Sequence, residues 1–145
     1  MTATMTELEL EIARHLPYPP ERVFDAWLDP EMMAKFMVPC DGGLVPEART
    51  DAREGGEFHV VMQPPGTEGI PHSGVYRVID RPRRIEFTWV SPYSVDDSVV
   101  TLTFAPKDGG TDLLLRHVRF ANEDSRNGHV AGWTMILDTL AKTLG

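Results

Sequence analysis

Hydrophobic and polar residues alternate near the start of the chain. Leu8, Leu10 and Ile12 alternate with glutamates at positions 7, 9 and 11. Because successive side chains of a β-strand point to opposite faces, this period of two predicts a strand with one face in the core. Arg14 falls on the apolar face of this strand. We expect a bulge that turns Arg14 outward, and the alternative is an inward charge paired with Glu86 or with a ligand carboxylate.

Two short helices are predicted after this strand. A proline pair followed by Glu21 suits a first helical turn, because the N–H that proline lacks is unbonded there and an acid favours the helix dipole. Asp29, Pro30 and Glu31 predict the start of the second helix in the same way. The apolar positions of the two helices are Val23, Phe24, Trp27, Leu28, Met32, Met33 and Phe36.

Six further segments have the character of strands, and turn-forming residues separate them at roughly 10–15-residue spacing. They cover about residues 44–51, 56–63, 73–80, 84–91, 98–105 and 111–120. Since the connections are short, these strands predict an antiparallel meander. In the first turn, Asp51 and Arg53 are expected to pair, and the glycines at 55 and 56 are expected to supply positive φ.

The last element is predicted to be a long amphipathic helix that begins between Asp124 and His129. Its apolar residues recur at steps of three and four, which is the spacing of one helix face. That face consists of Val130, Trp133, Ile136, Leu137, Leu140 and Leu144. Gly132 interrupts it at a cost of about 1 kcal/mol. A close approach of the helix backbone to the sheet or to a ligand would explain this glycine.

Composition limits the classes of function. Acidic residues outnumber Lys and Arg by 22 to 14, for a net charge of −8, which argues against nucleic acid and against anionic membranes. We read the basic run at residues 81–84 as a solvated turn. The single cysteine, Cys40, fits a cytoplasmic location. No signal peptide or membrane span is apparent, so we expect a flexible N-terminus over residues 1–6 and one domain over residues 7–145.

Motifs for catalysis, metals or cofactors are not apparent. The five histidines are scattered and lack the spacing of metal ligands, so no metal and no cofactor is expected. Cys40 has no neighbouring base in the sequence and is interpreted as a bystander thiol. His117 falls on the apolar face of its predicted strand. We favour a hydrogen-bonded structural histidine there, and a ligand contact or a catalytic base are the alternatives.

Dispersed motifs in the order of the chain resemble one family. Residues 20–27 read PERVFDAW, residues 51–58 read DAREGGEF, and residues 85–89 read IEFTW. Gly74-Val75-Tyr76, a Gly-Thr pair followed by Leu113, Leu115 and His117, and Gly132-Trp133 complete the pattern. Together they resemble the activator of heat-shock-protein-90 ATPase homologues, within the START-like or SRPBCC superfamily. The family usually has a tryptophan where this chain has Lys35-Phe36.

The resemblance implies an α+β helix-grip fold, as in START domains and the birch-pollen allergen. A seven-stranded antiparallel sheet would wrap around a long C-terminal helix, with two short helices after the first strand. In this family a cavity lies between the sheet and that helix, and the loop after the second short helix borders its mouth. The large aromatic and soft apolar residues are interpreted as core or as cavity lining. The candidate ligand-binding residues are Met32, Phe36, Met62, Tyr76, Phe87, Trp89, Leu115, His117, Trp133 and Leu137.

Three functions follow from these expectations. We favour a non-catalytic protein that binds a small hydrophobic molecule in the cavity. The second is a protein-partner module, either a cochaperone-like ATPase activator or a partner of a stress or transcription regulator. The third is a hydrolase or cyclase that uses His117 with Tyr76 or Glu86. We lean away from an enzyme, and a homodimer is left open.

Overall fold

The computed structural model describes residues 8–38 and 40–145. The flexible segment expected at residues 1–6 lies outside the described residues, as do Glu7 and Pro39. The described residues form seven strands and three helices. They are β1 (Glu9–Leu16), α1 (Pro20–Ala26), α2 (Pro30–Phe36), β2 (Leu44–Thr50), β3 (Glu57–Gln63), β4 (Ile70–Asp80), β5 (Arg84–Thr88), β6 (Val99–Lys107), β7 (Gly110–Val118) and α3 (Glu123–Leu144).

The seven strands form one antiparallel sheet in the order β1-β7-β6-β5-β4-β3-β2. The predicted meander from β2 to β7 is confirmed, because each of these strands pairs with the next one in the chain. The first strand joins β7 at the far edge. The long helix α3 packs on one face of the sheet, and its buried residues are Trp133, Ile136, Leu137, Leu140 and Leu144. This arrangement confirms the helix-grip fold.

Several predicted boundaries are wrong for local reasons. The strand β4 begins at Ile70, three residues before the predicted start, and includes Pro71, which pairs with Val61. Proline usually marks the end or edge of a strand, so the sequence pattern excluded it. The helix α3 begins at Glu123 because the Asn122 side chain accepts a hydrogen bond from the Ser125 N–H at 2.8 Å. The predicted start between 124 and 129 missed this cap.

The predicted turn pair is present, since the Asp51 carboxylate accepts a hydrogen bond from the Arg53 Nε at 2.9 Å. Gly55 has φ +85°, as expected. Gly56 is required for a different reason, which is space. A Cβ at Gly56 would lie 2.0 Å from the Asp51 carbonyl oxygen, so another side chain does not fit there.

The favoured interpretation of Arg14 is wrong. The β1–β7 register runs without a shift from Glu9 to Leu16, so no bulge turns Arg14 outward. The Arg14 side chain therefore stays on the inner face of the strand, where it pairs with Asp138 on α3. Glu86 is not its partner, because Glu86 pairs with Arg77 and Arg84. The inward charge is therefore matched by the long helix.

Candidate functional site

An open groove of about 560 Å³ lies between the first half of α3 and the adjoining ends of the sheet. This volume is within the range of small-molecule sites. Its walls are mainly apolar and aromatic, with polar groups concentrated where α3 begins. The lining residues are Met62, His72, Trp89, Ser91, Tyr93, Ala121, Asn122, Asp124, Ser125, Gly128, His129, Gly132, Trp133 and Ile136.

Two buried indoles form the inner wall of the groove. Trp89 directly follows β5, and Trp133 lies on the apolar face of α3, ten residues after the start of that helix. Their ring centroids are 4.9 Å apart, and the His72 ring lies 5.0 Å from Trp89. The planes of these rings are tilted, by 50° between the two indoles and by 39° between His72 and Trp89, so the inner wall is aromatic but not flat.

The candidate ligand-binding residues are divided among four places. Met62, Trp89 and Trp133 line the groove, whereas Tyr76 and Phe87 line a smaller void beside it. Met32 is half-buried on α2. The other four are fully buried core residues, namely Phe36, Leu115, His117 and Leu137.

The groove is therefore displaced from the expected position. We expected its mouth beside Met32 and Phe36, but α2 supplies none of the groove-lining residues. Hydrophobic periodicity shows which face of an element is turned inward. It does not show whether that face meets another side chain or an open space, so core and cavity residues look alike in the sequence. Ligand contact by the ten candidates remains a prediction.

His117 is a structural histidine in this fold. The indole N–H of Trp133 donates to His117 Nδ1 at 3.0 Å, so in the neutral ring Nε2 carries the proton and donates to Ser98 Oγ at 2.6 Å. Burial, with a smaller contribution from the nearby His129, lowers the pKa of His117 to about 3. Both ring nitrogens are thus bonded within the protein, which confirms the favoured interpretation.

Two further histidines face the groove and were not among the candidates. His72 donates from Nδ1 to the Ile70 carbonyl at 3.0 Å, which leaves Nε2 as an acceptor in the neutral ring. Burial lowers the pKa of His72 to about 4. His129 donates from Nδ1 to the Ser125 carbonyl at 2.8 Å. Pro64, Pro65 and Pro71 precede His72 and obscure which face of the strand it occupies, and His129 lies in the stretch where the predicted start of α3 was uncertain.

Two glycines on α3 give the groove its depth. Gly128 and Gly132 are four residues apart, so both lie on the helix face that borders the groove. A Cβ at either position would meet no atom within 4 Å. The expected close approach of Gly132 to the sheet is therefore wrong. Neither glycine is needed for packing, although each costs about 1 kcal/mol relative to alanine.

We expect Gly132→Ala to raise the free energy of unfolding by roughly 0.5–1 kcal/mol, because the methyl enters open space and the helix gains a better former. Chemical denaturation followed by circular dichroism measures this change. Gly128→Ala should act in the same direction. Gly56→Ala is the matched control and should destabilise, because its methyl would collide with the Asp51 carbonyl. A loss of stability in Gly132→Ala would mean that the backbone there is packed after all.

Comparison with known proteins identifies the family. The family model described as "Activator of Hsp90 ATPase homolog 1-like protein" matches residues 17–145. The chain belongs to this family. The match to the family model therefore confirms the resemblance seen in the sequence. A search of curated proteins found no match.

Several solved structures have the same fold as this chain. Protein CV1439 from Chromobacterium violaceum is 28% identical, with 92% of this chain and 94% of that chain covered and a TM-score of 0.84. The AHSA1-like protein from Aeromonas hydrophila is 25% identical, with 94% and 92% covered and a TM-score of 0.81. Protein NE0264 from Nitrosomonas europaea is 27% identical, with 94% of each chain covered and a TM-score of 0.80. These similarities place the groove on a well-populated fold without assigning its occupant.

The sequence suggested His117 with Tyr76 or Glu86 as a polar set, and neither pair is hydrogen-bonded in the structure, where the Tyr76 hydroxyl has no hydrogen-bond partner. His117 bonds Ser98 and Trp133, while Glu86 pairs with arginines and lines a different surface groove with Leu114 and Arg116. In the described part of the chain, no group of three or more His, Cys, Asp or Glu side chains could hold a metal ion. No helix among residues 8–38 and 40–145 is long and apolar enough to cross a bilayer.

Proposed function

We propose that this protein binds a small, mostly apolar molecule in the groove formed by Trp89, Trp133 and the glycine face of α3. The observation that supports this most is the pair Gly128 and Gly132. The helix forgoes about 1 kcal/mol at each glycine and the space beside it stays open, although no protein atom needs that space. A functional use of the groove accounts for that cost.

The polar groups of the groove support a binding role over catalysis. His72 and His129 use their Nδ1 atoms to bond backbone carbonyls, and Asn122 caps α3. These side chains are held by the backbone and are not arranged as nucleophile and base. They offer a ligand single polar contacts at one end of an otherwise apolar surface. A ligand with a flat apolar body and one polar end fits this distribution.

A thermal-shift screen tests this proposal. Small aromatic and aliphatic molecules are added to the wild type, to Gly132→Leu, which fills the groove, and to Ala131→Leu. Ala131 is an exposed neighbour on the same helix that does not line the groove. A ligand at about 100 times its Kd should raise the melting temperature of the wild type and of Ala131→Leu by roughly 5–10 °C. Gly132→Leu should show little shift.

Equal shifts in all three proteins would place binding outside the groove and contradict the proposal. A panel that gives no shift, together with native mass spectra that show no bound small molecule, would also contradict it. Both variants alter one side chain on one helix, so a difference between them reports on the groove and not on helix stability.

The alternatives remain open as predictions. A cochaperone-like role rests on the family description, and unchanged ATPase turnover of the chaperone on adding this protein would remove it. A role as a partner of a stress or transcription regulator rests on the same resemblance. An enzyme that uses the groove would need a general acid or base, and the titratable side chains that line the groove are His72, Tyr93, Asp124 and His129. A cytoplasmic location and a homodimer likewise stay expectations.

A further inference from the structure

A second, smaller void of about 10 Å³ adjoins the groove at Trp89. It lies between α2, the residue that follows α1 and the inner face of the sheet, and its lining residues are Trp27, Met33, Met37, Phe58, Tyr76, Phe87 and Trp89. Trp89 also lines the groove, so one indole borders both spaces. A volume of this size accommodates a single oxygen atom with its hydrogens.

The side chains that line the void include those whose buried hydrogen-bonding groups have no partner. Among the described residues, three buried side-chain polar atoms have no hydrogen-bond partner: Trp27 Nε1, Tyr76 Oη and Trp89 Nε1. Each of these side chains is at most 3% exposed, and all three line the void. The indole N–H groups can only donate, and the phenol can donate or accept. Because an unmatched buried donor is costly, the site calls for an atom that accepts hydrogen bonds.

We propose that this void receives a neutral oxygen, such as a carbonyl oxygen, at the end of the molecule bound in the groove. This inference rests on the proposed function and narrows it to apolar ligands with one uncharged acceptor. A carbonyl oxygen can accept hydrogen bonds from the Tyr76 hydroxyl and the indole N–H groups, and it is small enough for the void. A water oxygen can also accept hydrogen bonds from these donors, and the ligand oxygen would displace such a water.

The acceptor is neutral because nothing in the void compensates a charge. Its lining contains aromatic rings and methionines and no Lys, Arg or His. A carboxylate there would lose its hydration without a cationic partner. Burial raises the pKa of the Tyr76 hydroxyl, which therefore stays protonated and able to donate. The two methionines, Met33 and Met37, have flexible side chains that can adjust to a ligand end.

Matched probes test the inference. Methyl naphthyl ketone, isopropylnaphthalene and naphthoate share one flat ring system and present a carbonyl, a hydrocarbon branch and a carboxylate. Titration calorimetry should show the ketone binding about tenfold more tightly than the hydrocarbon. Tyr76→Phe should reduce this ratio roughly three-fold or more and leave the affinity for the hydrocarbon unchanged.

The indole N–H resonances give a second readout that a general packing effect would not produce. The ketone should shift the Trp27 and Trp89 signals in proton–nitrogen correlation spectra. The hydrocarbon should leave the Trp27 signal in place. Trp133 lines the groove and its N–H is already bonded to His117, so its signal should respond alike to the ketone and the hydrocarbon and reports that both occupy the groove.

The outcomes separate this inference from the proposed function. Equal affinities for ketone and hydrocarbon, with binding still blocked by Gly132→Leu, would overturn the acceptor site and leave the groove intact. Tighter binding of naphthoate than of the ketone would overturn the neutral oxygen. If no probe binds, both the groove and the acceptor site are wrong.

Discussion

Replacing Trp133 by alanine should lower the free energy of unfolding by about 4 kcal/mol, because the change removes one of the largest fully buried side chains. The Trp133 ring packs 4.9 Å from Trp89 and 6.3 Å from Trp27, so the loss opens a cavity in the aromatic cluster. It also leaves His117 Nδ1 without its donor. Denaturant unfolding followed by far-ultraviolet circular dichroism measures the change without depending on tryptophan fluorescence.

Trp133→Phe separates packing from hydrogen bonding. It keeps most of the ring but removes the N–H, so we expect a smaller loss of about 1–3 kcal/mol. This variant also keeps the prediction testable if Trp133→Ala fails to fold. A loss below about 1 kcal/mol in both variants would mean that Trp133 is not a central part of the core.

Acidification should destabilise the protein by about 4 kcal/mol between pH ~7.5 and pH ~5, because two buried histidines resist protonation. Burial lowers the pKa of His72 to about 4 and that of His117 to about 3, from 6.5. Between these values and 6.5 the unfolded chain binds more protons than the folded one. The stabilisation from the neutral histidines is therefore complete above pH 6.5 and is lost as the pH falls.

Chemical denaturation at several pH values measures this dependence. Each histidine should contribute about 2 kcal/mol of the loss at pH ~5. His72→Gln keeps a donor for the Ile70 carbonyl and does not titrate, so it should remove about half of the dependence. A free energy of unfolding that is the same or higher at the lower pH would contradict the buried, neutral state of both rings.

Much of the fold could be predicted because its signals are local. The alternation at Leu8, Leu10 and Ile12 and the stripe on α3 specify which faces are buried, and short connections specify a meander. The positions of Trp89 and Trp133 on the inner side follow from the same patterns. The pair between Arg14 and Asp138 did not, because it joins side chains 124 positions apart and depends on how α3 lies over β1.

The groove itself was only partly predictable. Phe36, Leu115 and Leu137 have the same inward-facing pattern as Trp89, but they are fully enclosed by protein, whereas Trp89 lines the groove. The pattern shows that a side chain faces inward and does not show whether it meets another side chain or a cavity. Gly132 was expected to approach the sheet or a ligand, but its companion Gly128 was not recognised. Gly128 and Gly132 interrupt an otherwise favourable helix on one face, which in retrospect marks the open side of the groove.

A crystal structure of the protein grown with a ligand from the thermal-shift screen tests the central claim most directly. The account predicts ligand density between α3 and the sheet, in contact with the Trp89 ring and with the backbone of Gly128 and Gly132. Density on the opposite surface, beside Arg84 and Arg116, or a groove closed by protein side chains, would contradict it.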